Sequence, residues 1–139
     1  MNTSFSRKCV DVVALIIPVK NGIIVEKRRS DKAIDPNTVV IPGGHVELGE
    51  SLEETCRREL KEELDLDCSK FVYVITRLHE TPVEAQVVHY YVCLGWCGQP
   101  KSIEAESIFS VSRNDLDVLD FEIDRQAARI YFEEYFLNI

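Results

Sequence analysis

Gly44-His45-Val46-Glu47-Leu48-Gly49-Glu50-Ser51-Leu52-Glu53-Glu54-Thr55-Cys56-Arg57-Arg58-Glu59-Leu60-Lys61-Glu62-Glu63-Leu64-Asp65-Leu66 sets acidic side chains on one face of a helix, directly behind a glycine loop. Ser51 followed by Glu54 is a capping box, in which each side chain meets the other's backbone N–H at a helix start. From Leu52 to Leu64 there is no Gly or Pro, and the run is rich in Leu, Glu, Arg and Lys, all good helix formers. Leu52, Cys56, Leu60 and Leu64 recur every four residues and form an apolar stripe. Glu59, Glu62 and Glu63 are spaced i, i+3, i+4, so they share a neighbouring face. Like charges this close repel, and a divalent cation reverses the sign of that interaction. Oxygen-only ligands favour Mg²⁺ or Mn²⁺ over zinc.

In pattern form, with U apolar, the segment reads G-x5-E-x7-R-E-U-x-E-E-x-D-U. It resembles the Nudix box, G-x5-E-x7-R-E-U-x-E-E-x-G-U. Asp65 stands where the family has glycine. The resemblance implies a Nudix-type α/β/α sandwich with a mixed β-sheet, of α+β or α/β class, with 1–139 as one domain and 44–66 as its box. It further implies a metal site made of the Gly44 carbonyl, Glu59, Glu62 and Glu63, and a structural ion pair between Glu50 and Arg58. The implied reaction is hydrolysis of a nucleoside diphosphate linked to another group, with Glu59 or Glu62 as the catalytic base. In some relatives a loop carboxylate outside the box takes that role, and Glu104 and Glu106 are the local candidates, for the base or for a further metal ligand. Arg28, before Pro42, matches an arginine that contacts substrate phosphates in MutT-like members, and Arg29 is its neighbour. His45 follows the glycines as a further candidate for phosphate contact. The family glycine after the helix adopts a left-handed conformation, which Asp tolerates better than most residues. A negative charge at a helix C-terminus is nevertheless unfavourable.

Working outward, Val10 to Val19 is β-branched and apolar, which predicts a strand covered on both faces. Asn21-Gly22 signals a two-residue hairpin, with Gly22 to Arg29 as the returning strand. Ser30 to Asn37 reads as a loop, Thr38 to Ile41 as a short strand, and Pro42-Gly43-Gly44 as the glycine loop. Phe71 to Glu80 and Gln86 to Trp96 are two long strands joined by a bend at 81–85, and Phe109 to Val111 a short one. Asp124 to Leu137 reads as a second helix, burying Ala127, Ala128, Ile130, Tyr131 and Phe136. Tyr91 and Trp96 are candidates to stack on a nucleobase. Strands interleaved with a helix and closed by a terminal helix predict a mixed sheet between helices.

The 139 residues fit one domain, and 45% apolar content suffices for a core. A net charge of −8 disfavours binding to a nucleic-acid polymer through its backbone. An anionic nucleotide must therefore be met by metal and by local cations. No apolar run is long enough for a membrane span, and Val10 to Val19, broken by Asp11 and Pro18, is no secretory leader. Cys9, Cys56, Cys68, Cys93 and Cys97 include no C-x-x-C pair. Cys93 and Cys97 read as one strand, ~13 Å apart, too far for a shared disulfide or zinc. Buried free thiols in a reducing cytoplasm are the expectation.

The sequence thus predicts a cytoplasmic, Mg²⁺-dependent enzyme, monomeric or homodimeric, that cleaves a nucleoside triphosphate to monophosphate and pyrophosphate. An ADP-ribose or nucleotide-sugar pyrophosphatase is the alternative enzyme. A non-catalytic nucleotide-sensing module is the alternative of another class.

Overall fold

The structure is a computed structural model that describes residues 8–135. At its centre is β1 (Cys9–Ile16), which pairs parallel with β7 (Ala85–Leu94) and antiparallel with β5 (Gly43–His45). Successive side chains of a strand point to opposite faces, and both faces here are covered. Val12, Ala14 and Ile16 enter one apolar cluster, and Val13, Leu15 and Ile17 enter the other. The strand expected to run to Val19 divides at Ile17, because Pro18 has no N–H to continue the ladder. Beyond it, β2 (Pro18–Val19) joins a second sheet through β3 (Gly22–Lys27).

The hairpin between them is displaced by one residue from its expected place. Its turn is Lys20-Asn21, with Asn21 at φ 61°, while Gly22 is already in the strand opposite Val19. Gly22 answers to the neighbouring strand β8 (Ser107–Ser112) instead, since a Cβ there would lie 2.3 Å from the Val111 carbonyl oxygen. β8 is also longer than the short strand expected around Phe109.

The first sheet is mixed and runs β5-β1-β7-β6, with β6 spanning Lys70–Glu80. In the second, β8 lies on one edge of β3, and β2 and β4 (Val39–Val40) on the other. Gly43 and Gly44 are part of β5, not of a loop as expected, because they hydrogen-bond along β1. Helix α1 (Leu52–Leu64) covers one side with Cys56, Leu60 and Leu64. Helix α2 (Glu122–Ile130) covers the other with Ala127 and Ala128. The result is the expected α/β/α sandwich. α2 starts two residues earlier than expected and passes into a π-helical turn at Tyr131–Tyr135; Phe136 and Leu137 lie outside the described residues. A short 3₁₀ turn at Leu116–Val118 was not anticipated.

Both bonds of the capping box form, Glu54 N–H to Ser51 Oγ at 3.1 Å and Ser51 N–H to Glu54 Oε1 at 2.8 Å. At the other end Asp65 closes α1 in the left-handed region, with φ 58° and ψ 39°. Its carboxylate meets Lys61 at 3.2 Å and Lys101 at 3.3 Å, and the Lys61 bond first among these contacts holds its pKa low. These cations offset the unfavourable charge at the helix end.

Cys56, Cys68 and Cys93 are buried, whereas Cys9 and Cys97 are exposed, contrary to the expectation of five buried thiols. β7 ends at Leu94, and Cys97 pairs with Asp67 in an isolated bridge, so it does not share a strand with Cys93.

Candidate active site

α1 presents Glu59, Glu62 and Glu63 to a cavity of about 390 Å³. Glu59 packs directly onto Gly44, where a Cβ would lie 2.1 Å from the Glu59 carboxyl carbon. Only glycine lets the β5 backbone approach that carboxyl.

Arg58 organises this wall. Its Nε and Nη2 grip Glu50 at 2.6 and 2.9 Å as a two-pronged fork. Nη2 also donates to the His45 carbonyl at 2.9 Å, and Nη1 reaches Glu59 at 2.9 Å and Glu62 at 3.1 Å. Glu50 further accepts from the Glu47 N–H and the Thr55 hydroxyl. The Arg58 hydrogen bond chiefly brings the Glu50 pKa down to about 2. One guanidinium thereby ties the β5 backbone, the 47–50 loop and two of the helix carboxylates together.

Sequence reasoning missed Glu26. On β3, Ile23 and Val25 enter the α2-side cluster while Ile24 enters the α1-side one. By that alternation Glu26 faces α1, and it is buried. A lone acid in an apolar strand, in step with the α1-facing residue, was the signal available. Glu63 is buried too, and the charges of Glu26 and Glu104 both bear on it. Burial, then the charge of Glu26, pushes the Glu63 pKa up to about 10. Burial likewise raises Glu59 to about 7 and drives Glu26 upward. Carboxyls so placed share protons, because they cannot all ionise in so little water.

Two candidates do not join this cluster. Arg29 is held by Asp31 through bonds of 3.2 and 3.3 Å and does not line the cavity. Glu106 turns to Lys27 at 3.7 Å, its N–H bound to the Lys27 carbonyl along the β3–β8 pairing, and lies outside the cavity as well. Arg28, His45 and Glu104 do line it, joined by Lys32. Arg28 spends its Nε on the Ile34 carbonyl at 3.0 Å, and His45 pairs with the buried Glu84.

The cavity lining also includes apolar and aromatic side chains. His79 and Phe121 meet edge to face with ring centroids 4.6 Å apart, beside Val88, Tyr90 and Ile123. His79 is held by Asp35 at 2.8 Å. Tyr91 and Trp96, the expected stacking residues, are absent from this lining. Both belong to the α1-side core, where Trp96 donates to the Pro18 carbonyl at 2.7 Å. Tyr91 lies on the face of β7 that turns to α1, and Trp96 lies beyond the end of that strand, which composition does not reveal.

The sequence model of the NUDIX domain matches residues 7–133. The chain belongs to the Nudix family. Among its relatives, an 8-oxo-dGTP diphosphatase of Haemophilus influenzae is 28% identical over 115 residues, covering 83% of this chain and 85% of that protein. An m7GpppN-mRNA hydrolase, NUDT17, of Xenopus laevis is 38% identical over 72 residues, or 52% of this chain, which spans only 24% of that protein's length. The crystal structure of a MutT protein from Methanosarcina mazei Go1 superposes with a TM-score of 0.84 at 18% identity, covering 95% of this chain and 99% of that one. The protein is thus a MutT-like Nudix hydrolase in sequence family and in fold.

The acidic wall of this Nudix domain suits a hard divalent cation in donor type. Every candidate donor is oxygen, the Glu26 and Glu63 carboxyls are buried, and the Glu59 carboxyl packs against Gly44 where a Cβ would otherwise stand. Among the described residues, no three acidic, histidine or cysteine side chains are already closed around a metal position. Among the same residues, no helix is long and apolar enough to cross a membrane.

Proposed function

We propose that this Nudix hydrolase cleaves a nucleoside triphosphate to the monophosphate and pyrophosphate, with Mg²⁺ or Mn²⁺ as cofactor. The observation that carries the reading is the mixed lining of one cavity. The carboxyls of Glu26, Glu59, Glu62, Glu63 and Glu104, the cations Arg28 and Lys32, and the rings of His79 and Phe121 all line it. A nucleotide carries the matching groups, a charged phosphate chain that a cation can bridge to carboxylates and a base that packs on rings.

Glu59, Glu62, Glu63 and the Gly44 carbonyl would hold the cation. When bound, it neutralises phosphate charge and polarises the attacked phosphorus. The protein's own part is mostly positioning. Arg58 fixes Glu59 and Glu62 in direction, so that either can take the proton of the attacking water. Arg28 keeps its terminal nitrogens for the outer phosphates while its Nε is anchored at Ile34. Phe121 and His79 give the base a rigid edge. The relatives named 8-oxo-dGTP diphosphatase support this substrate class.

The test is product analysis on a panel of ordinary and oxidised nucleoside triphosphates and ADP-ribose, with Mg²⁺ and with chelator. Metal-dependent release of monophosphate and pyrophosphate is expected. A tenfold or greater preference for ADP-ribose in kcat/KM (about 1.4 kcal/mol) would replace the triphosphate assignment.

A further inference from the structure

The cavity wall holds a buried amide that the hydrolytic chemistry leaves without a role. Gln86 lies on β7, is 8% exposed and lines the cavity. It stands directly opposite His79 of β6, the ring that meets Phe121, and side chains so paired are neighbours on one face of a sheet. Gln86 Nε2 donates to the Glu84 carboxylate at 2.9 Å, and the same carboxylate oxygen pairs with His45. Glu84 is itself buried. Its backbone is pinned on both sides by Thr81, whose hydroxyl donates to the Glu84 carbonyl at 2.7 Å and accepts from the Glu84 N–H at 3.0 Å.

We propose that Gln86 is a specificity-determining residue that reads one edge of the bound base and separates amino-substituted from oxo-substituted bases, adenine from hypoxanthine or cytosine from uracil. The proposal rests on the nucleotide reading above. An ionised carboxylate accepts hydrogen bonds and donates none. Burial opposes that ionisation, but the hydrogen bonds from Gln86 and His45 hold the Glu84 carboxyl below its usual range. The Gln86 amide nitrogen must therefore face Glu84, since the reversed amide would set oxygen against oxygen. Among the described residues, no buried side-chain polar atom lacks a partner. The Gln86 carbonyl oxygen, which bonds to none of those residues, thus opens on the cavity with the second N–H beside it.

An amide locked in this way offers a donor and an acceptor in one fixed order. An exocyclic amino group donates where an oxo group accepts, and the adjacent ring nitrogen reverses with it. In a given pose the locked amide matches one order and opposes the other. A glutamine free to turn its amide over would accept both, so the discrimination depends on Glu84 as the positioning residue.

The experiment compares kcat/KM for ATP and inosine triphosphate, which differ at that edge of the base. In the unsubstituted protein the two should differ by about tenfold or more, as one two-pronged amide contact provides. Gln86→Met keeps the length of the side chain and removes both polar groups, and it should bring the ratio near one. Glu84→Gln should do the same with Gln86 intact, because an amide partner can meet either end of Gln86. Equal kcat/KM for the two in the unsubstituted protein overturns the proposal, as does a ratio preserved in Gln86→Met. So does a change in that variant confined to ATP against its 2′-deoxy form, which would put the amide on the sugar. If Gln86→Met does not fold, the ratios in the unsubstituted protein and in Glu84→Gln decide. If no triphosphate is cleaved, the substrate reading fails on its own, and calorimetric binding of AMP against IMP tests Gln86 separately. Equal affinities, or no binding of either, overturn it there.

Discussion

Gly43 and Gly44 are neighbours in β5 but are glycines for different reasons. A Cβ at Gly43 would lie 1.9 Å from the Val13 carbonyl oxygen, an atom of the adjoining strand that cannot step aside. A Cβ at Gly44 would meet only the end of the Glu59 side chain, which can. Gly43→Ala is therefore expected to cost stability, on the order of 1–3 kcal/mol as overpacking does, read as a lower melting temperature. Gly44→Ala should keep its melting temperature and lose about 100-fold in kcat, since a displaced catalytic group is that costly. Equal melting losses in the two variants would refute the distinction. Arg58 and Glu59 divide in a similar way. Arg58→Ala strands the Glu50 and Glu59 carboxylates, so melting temperature and kcat should both fall, the stability by about 1–3 kcal/mol. Glu59→Gln should lose rate by orders of magnitude with its melting temperature kept or raised, because burial already disfavours its charge. A calorimetric scan of both variants beside single-turnover rates checks the pair.

At the scale of elements, the exposed edge of β4 is closed by α2 and the chain just before it, not by another strand. Val39 N–H donates to Asp120 at 2.6 Å, and Asp120 N–H returns a bond to the Val39 carbonyl at 3.0 Å. Ile41 N–H then donates to the buried Asp124 at 3.1 Å, whose other oxygen accepts from Tyr90 at 2.6 Å. This tie fixes the segment that leads through Pro42 into Gly44. Burial outweighs these hydrogen bonds and raises Asp124 from 3.8 to about 6. The folded state therefore holds this proton more tightly than the unfolded chain. The contribution to stability is fully present below pH 3.8, declines as pH rises towards 6, and is flat beyond, a change of about 3 kcal/mol. Asp124→Asn cannot titrate. The stability of the unsubstituted protein minus that of the variant, from urea melts between pH 4 and 7, should fall over this window and then level. A difference that stays constant, or that rises with pH, would show that Asp124 is ionised throughout.

For the whole molecule, the net charge of −8 matters less than where its acids are gathered. The wall around Glu63 brings carboxyls from β3, α1 and the loop before β8 into one desolvated cluster. Mg²⁺ should bind the folded chain and not the unfolded one, so the melting temperature should rise with Mg²⁺ and fall back with chelator, by about 2.7 kcal/mol at a hundredfold excess over Kd. The shift should be much reduced in Glu63→Gln; a melting temperature indifferent to Mg²⁺ would remove the cation from the site. Much of α1 was legible in advance. Its capping box, its apolar stripe and the spacing of Glu59, Glu62 and Glu63 depend on residues three or four apart, which a helix brings together without help from the rest of the fold. Asp65 could be recognised as the left-handed end for the same local reason, although the Lys101 that offsets its charge comes from a distant loop. What lay beyond the sequence were the meetings between elements. Glu26 reaches Glu63 and Phe121 reaches His79, Tyr91 turns to the α1-side core by its place in β7, and Arg29, Glu106 and Trp96 lie past strand ends where Asp31, Lys27 and the Pro18 carbonyl hold them. A shift of one residue in a strand reverses every side chain. The place where Pro18 breaks β1, and the one-residue displacement of the Lys20-Asn21 turn, set those faces. They are decided by which strands pack together, and the local pattern of residues does not contain that information.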